Sequence, residues 1–288
     1  MIKDKKGRTW FKGNLHTHTT VSDGKYTPEQ AYELYKSKGY DFIARTDHWK
    51  SSLGDSYEGL LILPGEEFDV GSNAGEGIYH IVGAGIAQEP KLVRGDGPQK
   101  IIDEIHAAGG VAILAHPAWS LNSPEQLMQL KGVDMSEIYN SVSGVPFNCR
   151  PYSGLIFDIM AAKGCLWKMN AADDVHFYTE HDACRSYVLV QAEECTREAI
   201  VNALKKGDFY ATQGPELSVT YVDGRVKVEC SPVEEIVYYT DTVFVHHRCQ
   251  VGTDLTEDEY VPASKDTFVR VEVKDAQGRY AWGQYVKV

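Results

Sequence analysis

Hydrophobic and polar positions along the chain follow two different periods. Through the first two-thirds, strand-length apolar runs end in polar or turn residues. Phe42-Ile43-Ala44 precedes Asp47, and Leu60 to Leu63 precedes Pro64-Gly65. His80-Ile81-Val82-Gly83 follows a Gly-rich turn, and Val111 to Ala115 precedes His116-Pro117. Amphipathic runs lie between them. Thr27-Pro28-Glu29-Gln30 predicts a helix start: Thr27 caps, Pro28 suits the first turn, and Gln30 sits at the capping-box spacing. That helix carries Ala31, Leu34 and Tyr35 and stops near Gly39. Further helices are predicted from Pro98 to Ala108, before Gly109-Gly110, and from Thr196 to Lys206, before Gly207. Repeated strand-then-helix units predict an α/β fold with a parallel sheet or barrel, in which function gathers at the carboxyl ends of the strands. After Gly214-Pro215 the period changes to alternation. Leu217 to Val222, the turn Asp223-Gly224 and Arg225 to Glu229 read as a hairpin, and Phe268 to Val273 as a further strand. The pattern predicts two domains: residues 1–214, and a small all-β module over 215–288.

At about 150 residues per domain, 288 residues make one large or two ordinary domains. The hydrophobic share of 43% and charged share of 24% are those of a soluble globular protein. Twenty-nine Lys+Arg against 41 Asp+Glu leave a net charge of −12, which repels phosphate backbones at long range. No long nucleic acid is expected as a partner; a small anion held locally by cations stays open. No apolar run approaches the length of a membrane span, so no membrane partner is expected. The charged start leads into Thr-Trp-Phe-Lys-Gly-Asn with no apolar core or cleavage site, so no signal peptide is read and a cytoplasmic location is expected. Cys149, Cys165, Cys184, Cys195, Cys230 and Cys249 form no C-x-x-C pair and read as reduced thiols.

The histidines are what change the picture. His16 and His18 form H-x-H, which in a strand puts both imidazoles on one face. Asp23 follows in Ser22-Asp23-Gly24. His48 ends the next strand, Glu66 and Glu67 the one after, His80 opens a later strand, and His116 ends another. Asp174 and His176 form D-x-H. Scattered core histidines have no reason to recur at strand ends, so the set reads as a multi-metal site. Imidazole nitrogen with carboxylate oxygen suits zinc, iron or manganese rather than calcium or thiophilic ions.

The ordered set N-L-H-T-H-T-T-V-S-D-G, T-D-H, P-G-E-E, H-I-V-G-A-G, A-G-G-V-A-I-L-A-H-P and D-D-V-H resembles the PHP (polymerase and histidinol phosphatase) family over about residues 12 to 214. The resemblance implies a distorted seven-stranded (βα) barrel with two or three divalent ions at its carboxyl-end face. It implies His16, His18 and Asp174 as ligands of a first metal and Glu67 as the carboxylate bridging two metals. His80 and His116 would serve a second metal, and Asp23, His48 and His176 a third. Some members place a histidine where this chain has Asp23. The activity implied is metal-dependent hydrolysis of a phosphoester of a small metabolite or nucleotide. A hydroxide shared between two cations would be the nucleophile.

Phosphate also suits bidentate arginines. Arg150 follows the strand end Glu137-Ile138-Tyr139-Asn140 by a short loop, and Arg185 lies nine residues past His176. Each is a candidate phosphate contact, and His181 is a candidate general acid; for all three a surface role is the alternative. Trp49 and Trp119 either wall the pocket or pack. A metallohydrolase acting on another ester or an amide stays open, as does a metal-holding binding module without turnover. Oligomeric state is not legible.

Overall fold

The computed structural model describes residues 1–4, 6–75, 77–179, 182–244 and 246–288. The fold is mixed α/β, one large sheet with five helices among the described residues. The first strands are β1 (Ile2–Lys3), β2 (Thr9–Asn14), β3 (Phe42–Arg45) and β4 (Leu61–Val70), with helix α1 (Pro28–Ser37) between β2 and β3. Then come β5 (Tyr79–Ala84), α2 (Pro98–Ala107), β6 (Val111–Leu114), α3 (Pro124–Leu127), β7 (Met135–Asn140), α4 (Gly154–Ala162) and β8 (Lys168–Ala172). The chain continues with β9 (Tyr187–Gln191), α5 (Arg197–Lys206) and β10 (Phe209–Thr212). It ends in β11 (Leu217–Val222), β12 (Arg225–Tyr239), β13 (Cys249–Tyr260), β14 (Phe268–Lys274), β15 (Tyr280–Trp282) and β16 (Val286–Lys287).

The helix signals act as read. Thr27 and Gln30 form the reciprocal capping box of α1, Thr196 caps α5, and Gly207 ends α5 in the left-handed region at φ 92°. The sheet departs from the all-parallel expectation. β2–β3, β3–β4, β6–β7 and β7–β8 are parallel, whereas β5 is antiparallel to both β4 and β6. Residues 71–78 join β4 to β5, a connection too short for a crossover helix, so the strands must reverse. Pro64-Gly65 does not end β4 either; it marks a change of partner. Leu61 to Pro64 pair with β3, and Gly65 to Val70 pair with β5. Glycine is required there, since a Cβ at Gly65 would lie 2.8 Å from the Gly83 carbonyl oxygen.

Strands β2 to β8 lie in chain order, and past their ends Thr17 bridges Val175. The His18 N–H donates to Val175 O at 2.9 Å and the Asp174 N–H to His16 O at 3.1 Å. The carboxyl-end extensions of β2 and β8 thereby meet. One apolar cluster fills the space behind them, with Leu15, Phe42, Leu63, Val82, Ile113 and Val188 packed against Ile200 and Leu204 of α5.

Past residue 214 the strands are antiparallel. Asp223-Gly224 is the two-residue turn of the β11–β12 hairpin, with φ of 52° and 73°, the positive pair a type I′ turn needs. The ladder β10–β15 carries the sheet across from the first part, and Leu189 and Tyr210 share a core with Val226, Ile236 and Val271. No helix of the described residues is long and apolar enough to cross a membrane.

Candidate metal centre

The nine residues singled out by the histidine pattern converge past the carboxyl ends of β2, β3, β6 and β8, with Glu67 from within β4 and His80 from the start of the antiparallel β5, in three groups. His16, His18, Glu67 and Asp174 form one; Glu67, His80 and His116 a second; Asp23, His48 and His176, with His18, a third. Within each, ligand-capable atoms lie within 4.8 Å of one another. Residues 173 to 177 run along the extension of β2, so Asp174 and His16 are held in register by backbone bonds. His116 and Asp174 sit at φ of 30° and 52°, leaving the strand direction where their side chains turn into the site.

The first group is the tightest. His16 Nε2 and His18 Nε2 are 3.1 Å apart. Each lies 3.1–3.2 Å from Glu67 Oε2 and from Asp174 Oδ1. A tetrahedral ion with bonds of about 2.0–2.1 Å would set its ligand atoms about 3.3 Å apart. Glu67 has its other oxygen in the second group, with Oε1 3.0 Å from His80 Nδ1 and 3.8 Å from His116 Nε2. In the third group Asp23 Oδ2 stands 3.3 Å from His176 Nε2 and 3.9 Å from His48 Nε2. Asp23 is half-exposed, and this is the most open of the three.

Charge and hydrogen bonding fit a divalent cation here. Glu67 and Asp174 are buried carboxylates, a costly placement without cations. Asp174 Oδ1 and His48 Nδ1 are buried without a well-directed hydrogen bond. Burial works against the charged forms throughout, but the clustered opposite charges override it. Asp174, Glu67 and Glu137 hold the His16 imidazole well above its usual range, and Asp174 and Glu67 push His18 up to about 9. Glu67 and Asp174 are held far below the carboxylate range by the facing histidines. Burial wins at His48, which is lowered.

Outer partners aim these ligands, and the strongest carries no motif. Glu137, buried in β7, lies 2.9 Å from His16 Nδ1 through Oε1. Its Oε2 accepts from the His116 N–H at 2.9 Å and from Asn140 Nδ2 at 2.7 Å. With an ion in place of the Nε2 proton, His16 would still donate from Nδ1 to Glu137 and present Nε2 to the group, the tautomer a metal ligand needs. Asp47 ties the H-x-H segment to β3. It accepts from the Thr19 N–H at 2.7 Å and from Ser22 Oγ at 2.7 Å, and it pairs with the buried Arg45 at 2.5 Å. The only signal of Glu137 in sequence is a carboxylate inside an otherwise buried strand, and of Asp47 its place beside His48.

A cavity of about 390 Å³ opens over the groups, and Trp119, Val142, Ser143, Phe147, Asn148 and Tyr178 wall it. Trp119 packs edge-on against His116, while Trp49 lies outside the lining and packs on Phe68 with its Nε1 donating to Asp69. Arg150 and Arg185 do not belong to the lining; both are exposed, and their backbone N–H groups bond to Ser143 O and Asp173 Oδ1. The loops that place them turn their side chains to solvent. Among the described residues no arginine or lysine lines the cavity. His181 lies outside the described residues.

With this geometry in view, the fold has a known counterpart. It matches the crystal structure of a two-domain protein containing a predicted PHP-like metal-dependent phosphoesterase from Bacteroides vulgatus ATCC 8482, with TM-score 0.56 and 16% identity. The match covers 100% of this chain and 97% of that one. At that identity the likeness is one of fold, and the fold is therefore PHP-like. A protein assigned as a metal-dependent phosphoesterase from Bifidobacterium adolescentis ATCC 15703 gives TM-score 0.43 at 16% identity, over 57% of this chain and 87% of that one. An amidohydrolase from Chromobacterium violaceum, with bound sulfate and no metal, gives 0.41 at 16% identity over the same shares. Neither a protein-family profile nor a curated protein matches the sequence.

Proposed function

We propose that this chain is a metal-dependent hydrolase whose substrate is a small phosphoester. The observation that carries the reading is Glu67, a buried carboxylate with one oxygen toward His16 and His18 and the other toward His80. A carboxylate shared in this way suits two neighbouring cations. His16, His18 and Asp174 would hold the first with Glu67, His80 and His116 the second with Glu67, and Asp23, His48 and His176 a third. Zinc, iron or manganese suits these donors. Such ions supply Lewis-acid activation of water and neutralise charge on the reacting ester. Glu137 keeps the His16 proton on Nδ1, and Asp47 holds the H-x-H segment in place. Trp119 and Phe147 exclude water from the walls, and Ser143, Asn148 and Tyr178 offer neutral hydrogen bonds to substrate oxygens. We take residues 1–214, with β2 to β8 as a distorted seven-stranded barrel, as the catalytic domain, and 215–288 as an appended β domain of a cytoplasmic protein.

The lining without arginine or lysine favours a second reading, hydrolysis of a carbonyl ester or amide, whose substrate needs no cationic clamp beyond the metals. One assay separates the two. Manganese-loaded protein is offered p-nitrophenyl phosphate, bis-p-nitrophenyl phosphate and p-nitrophenyl acetate. p-Nitrophenol release from either phosphate ester that is lost in Glu67→Ala supports the phosphoester. Acetate turnover alone, lost in the same variant, supports the second reading. No turnover with manganese, or after reloading with zinc or iron, overturns both.

A further inference from the structure

The cavity wall is gripped from a distant part of the chain. The loop 141–152 supplies Val142, Ser143, Phe147 and Asn148 to the cavity. Its front stem is tied to the metal centre: Asn140 Nδ2 donates to Asp174 Oδ2 at 3.1 Å, and Asn140 Oδ1 accepts from the Ser143 N–H at 3.0 Å. Within the loop the Asn148 N–H donates to Gly144 O at 2.7 Å and the Arg150 N–H to Ser143 O at 2.9 Å, so the stretch is one folded unit. The rear stem returns at Pro151-Tyr152, where Tyr152 bridges Tyr139 of β7. There the Tyr152 hydroxyl donates to Glu272 of β14, more than a hundred residues later in the chain. Glu272 is buried and also takes a short ion pair from Arg270. Arg270 is fully buried, and its Nε and Nη2 donate to both oxygens of Asp158, at 2.9 and 2.8 Å. Asp158 stands on α4, the helix that follows the loop. Gly154 leaves room for the tyrosine: a Cβ there would fall 2.1 Å from the Tyr152 hydroxyl.

β14 thus holds the loop's exit and the helix after it through one guanidinium and two carboxylates. A buried ion network is a poor source of stability, because well-packed apolar side chains would serve as well or better. What it adds is direction, since its bonds accept one geometry only. We propose that Arg270 and Glu272 are positioning residues for the candidate active site, acting through Tyr152 to hold Phe147 and Asn148 over the metal groups. The statement rests on the hydrolase reading for its catalytic consequence and on geometry alone for its structural one. It gives the C-terminal strands a task in the site without any of their side chains entering the cavity.

The test uses the full chain loaded with manganese, in Tyr152→Phe and Glu272→Gln, with Arg225→Ala as control. Arg225 makes an exposed pair with Glu259 on the far β12–β13 hairpin. Amide exchange of residues 143–150 is expected to quicken about tenfold in both test variants and to stay unchanged in the control. Manganese affinity stays at the wild-type value in all three. With a hydrolysed substrate, KM rises about fivefold in the test variants while kcat holds within about twofold. Loop exchange at the wild-type rate in folded Tyr152→Phe and Glu272→Gln overturns the proposal, as does a uniform quickening over the whole chain, the mark of a purely structural network. If the wild-type protein hydrolyses nothing, the functional reading fails while the exchange experiment still decides the positioning claim.

Discussion

Glu137→Gln isolates the aiming of the ligands from the ligands themselves. The carboxylate accepts from three buried donors: His16 Nδ1, the His116 N–H and Asn140 Nδ2. A glutamine of the same shape has one acceptor oxygen and one donor nitrogen. If the oxygen faces His16, the amide nitrogen meets the two donors on the other side. If it faces those two, the nitrogen meets His16 Nδ1–H. Either way at least one buried donor faces another, at about 1–3 kcal/mol. The easiest relief for His16 is to move its proton to Nε2, which removes the lone pair offered to the first group. Partners of this kind are worth about 10- to 100-fold in metal affinity, or about 1.4–2.8 kcal/mol. The assay is competition for Mn²⁺ or Zn²⁺ against a chromogenic chelator, with the exposed Glu125→Gln as control. A loss of about 10- to 100-fold in Glu137→Gln alone is expected. Affinity within about twofold of wild type in a folded Glu137→Gln would refute the reasoning, because His16 would then be oriented without its carboxylate.

Metal uptake should release protons. The His18 imidazole is pushed from 6.5 to about 9 in the metal-free protein, so it is protonated at neutral pH and must deprotonate to bind an ion. Its own contribution to folding is present below 6.5 and lost as pH rises through about 9, whereas metal affinity moves oppositely and climbs with pH over that window. Calorimetry at one pH in buffers of different ionisation enthalpy reads the released protons; identical heats would sink this. Arg45→Ala should cost about 3–5 kcal/mol in urea unfolding, because Asp47 stays buried after losing its partner. A loss under about 1 kcal/mol would show that Thr19 and Ser22 suffice to hold that carboxylate.

Much of this centre is readable from local pattern. H-x-H and D-x-H put pairs of ligands on one face because side chains alternate along an extended chain. Thr27, Pro28 and Gln30 mark α1 because capping chemistry is local. What stays hidden depends on pairing between distant segments. Glu137 reaches His16 only because β7 and β2 come to the same end of the sheet, and no short-range pattern carries that. The reversal at β5 is written in the length of 71–78, yet the continuation of β4 through Pro64-Gly65 is masked by residues that usually stop a strand. Arg150 and Arg185 mislead for the opposite reason. Nearness in sequence to a ligand says little about direction, and both loops turn their side chains outward.

The backbone clasp between Thr17 and Val175 sets an order of events in the life of the molecule. On a ribosome, residues 16–18 emerge early and wait until 174–176 have left the tunnel before the two halves of the ion cage exist together. Before that point the first group is incomplete, and only Glu67, His80 and His116 of the second have all emerged, so an ion held by the first group could not template the early stages of folding. Loading of the first group would follow the arrival of Asp174, and ion supply would then act as a late ligand that deepens the native well by mass action.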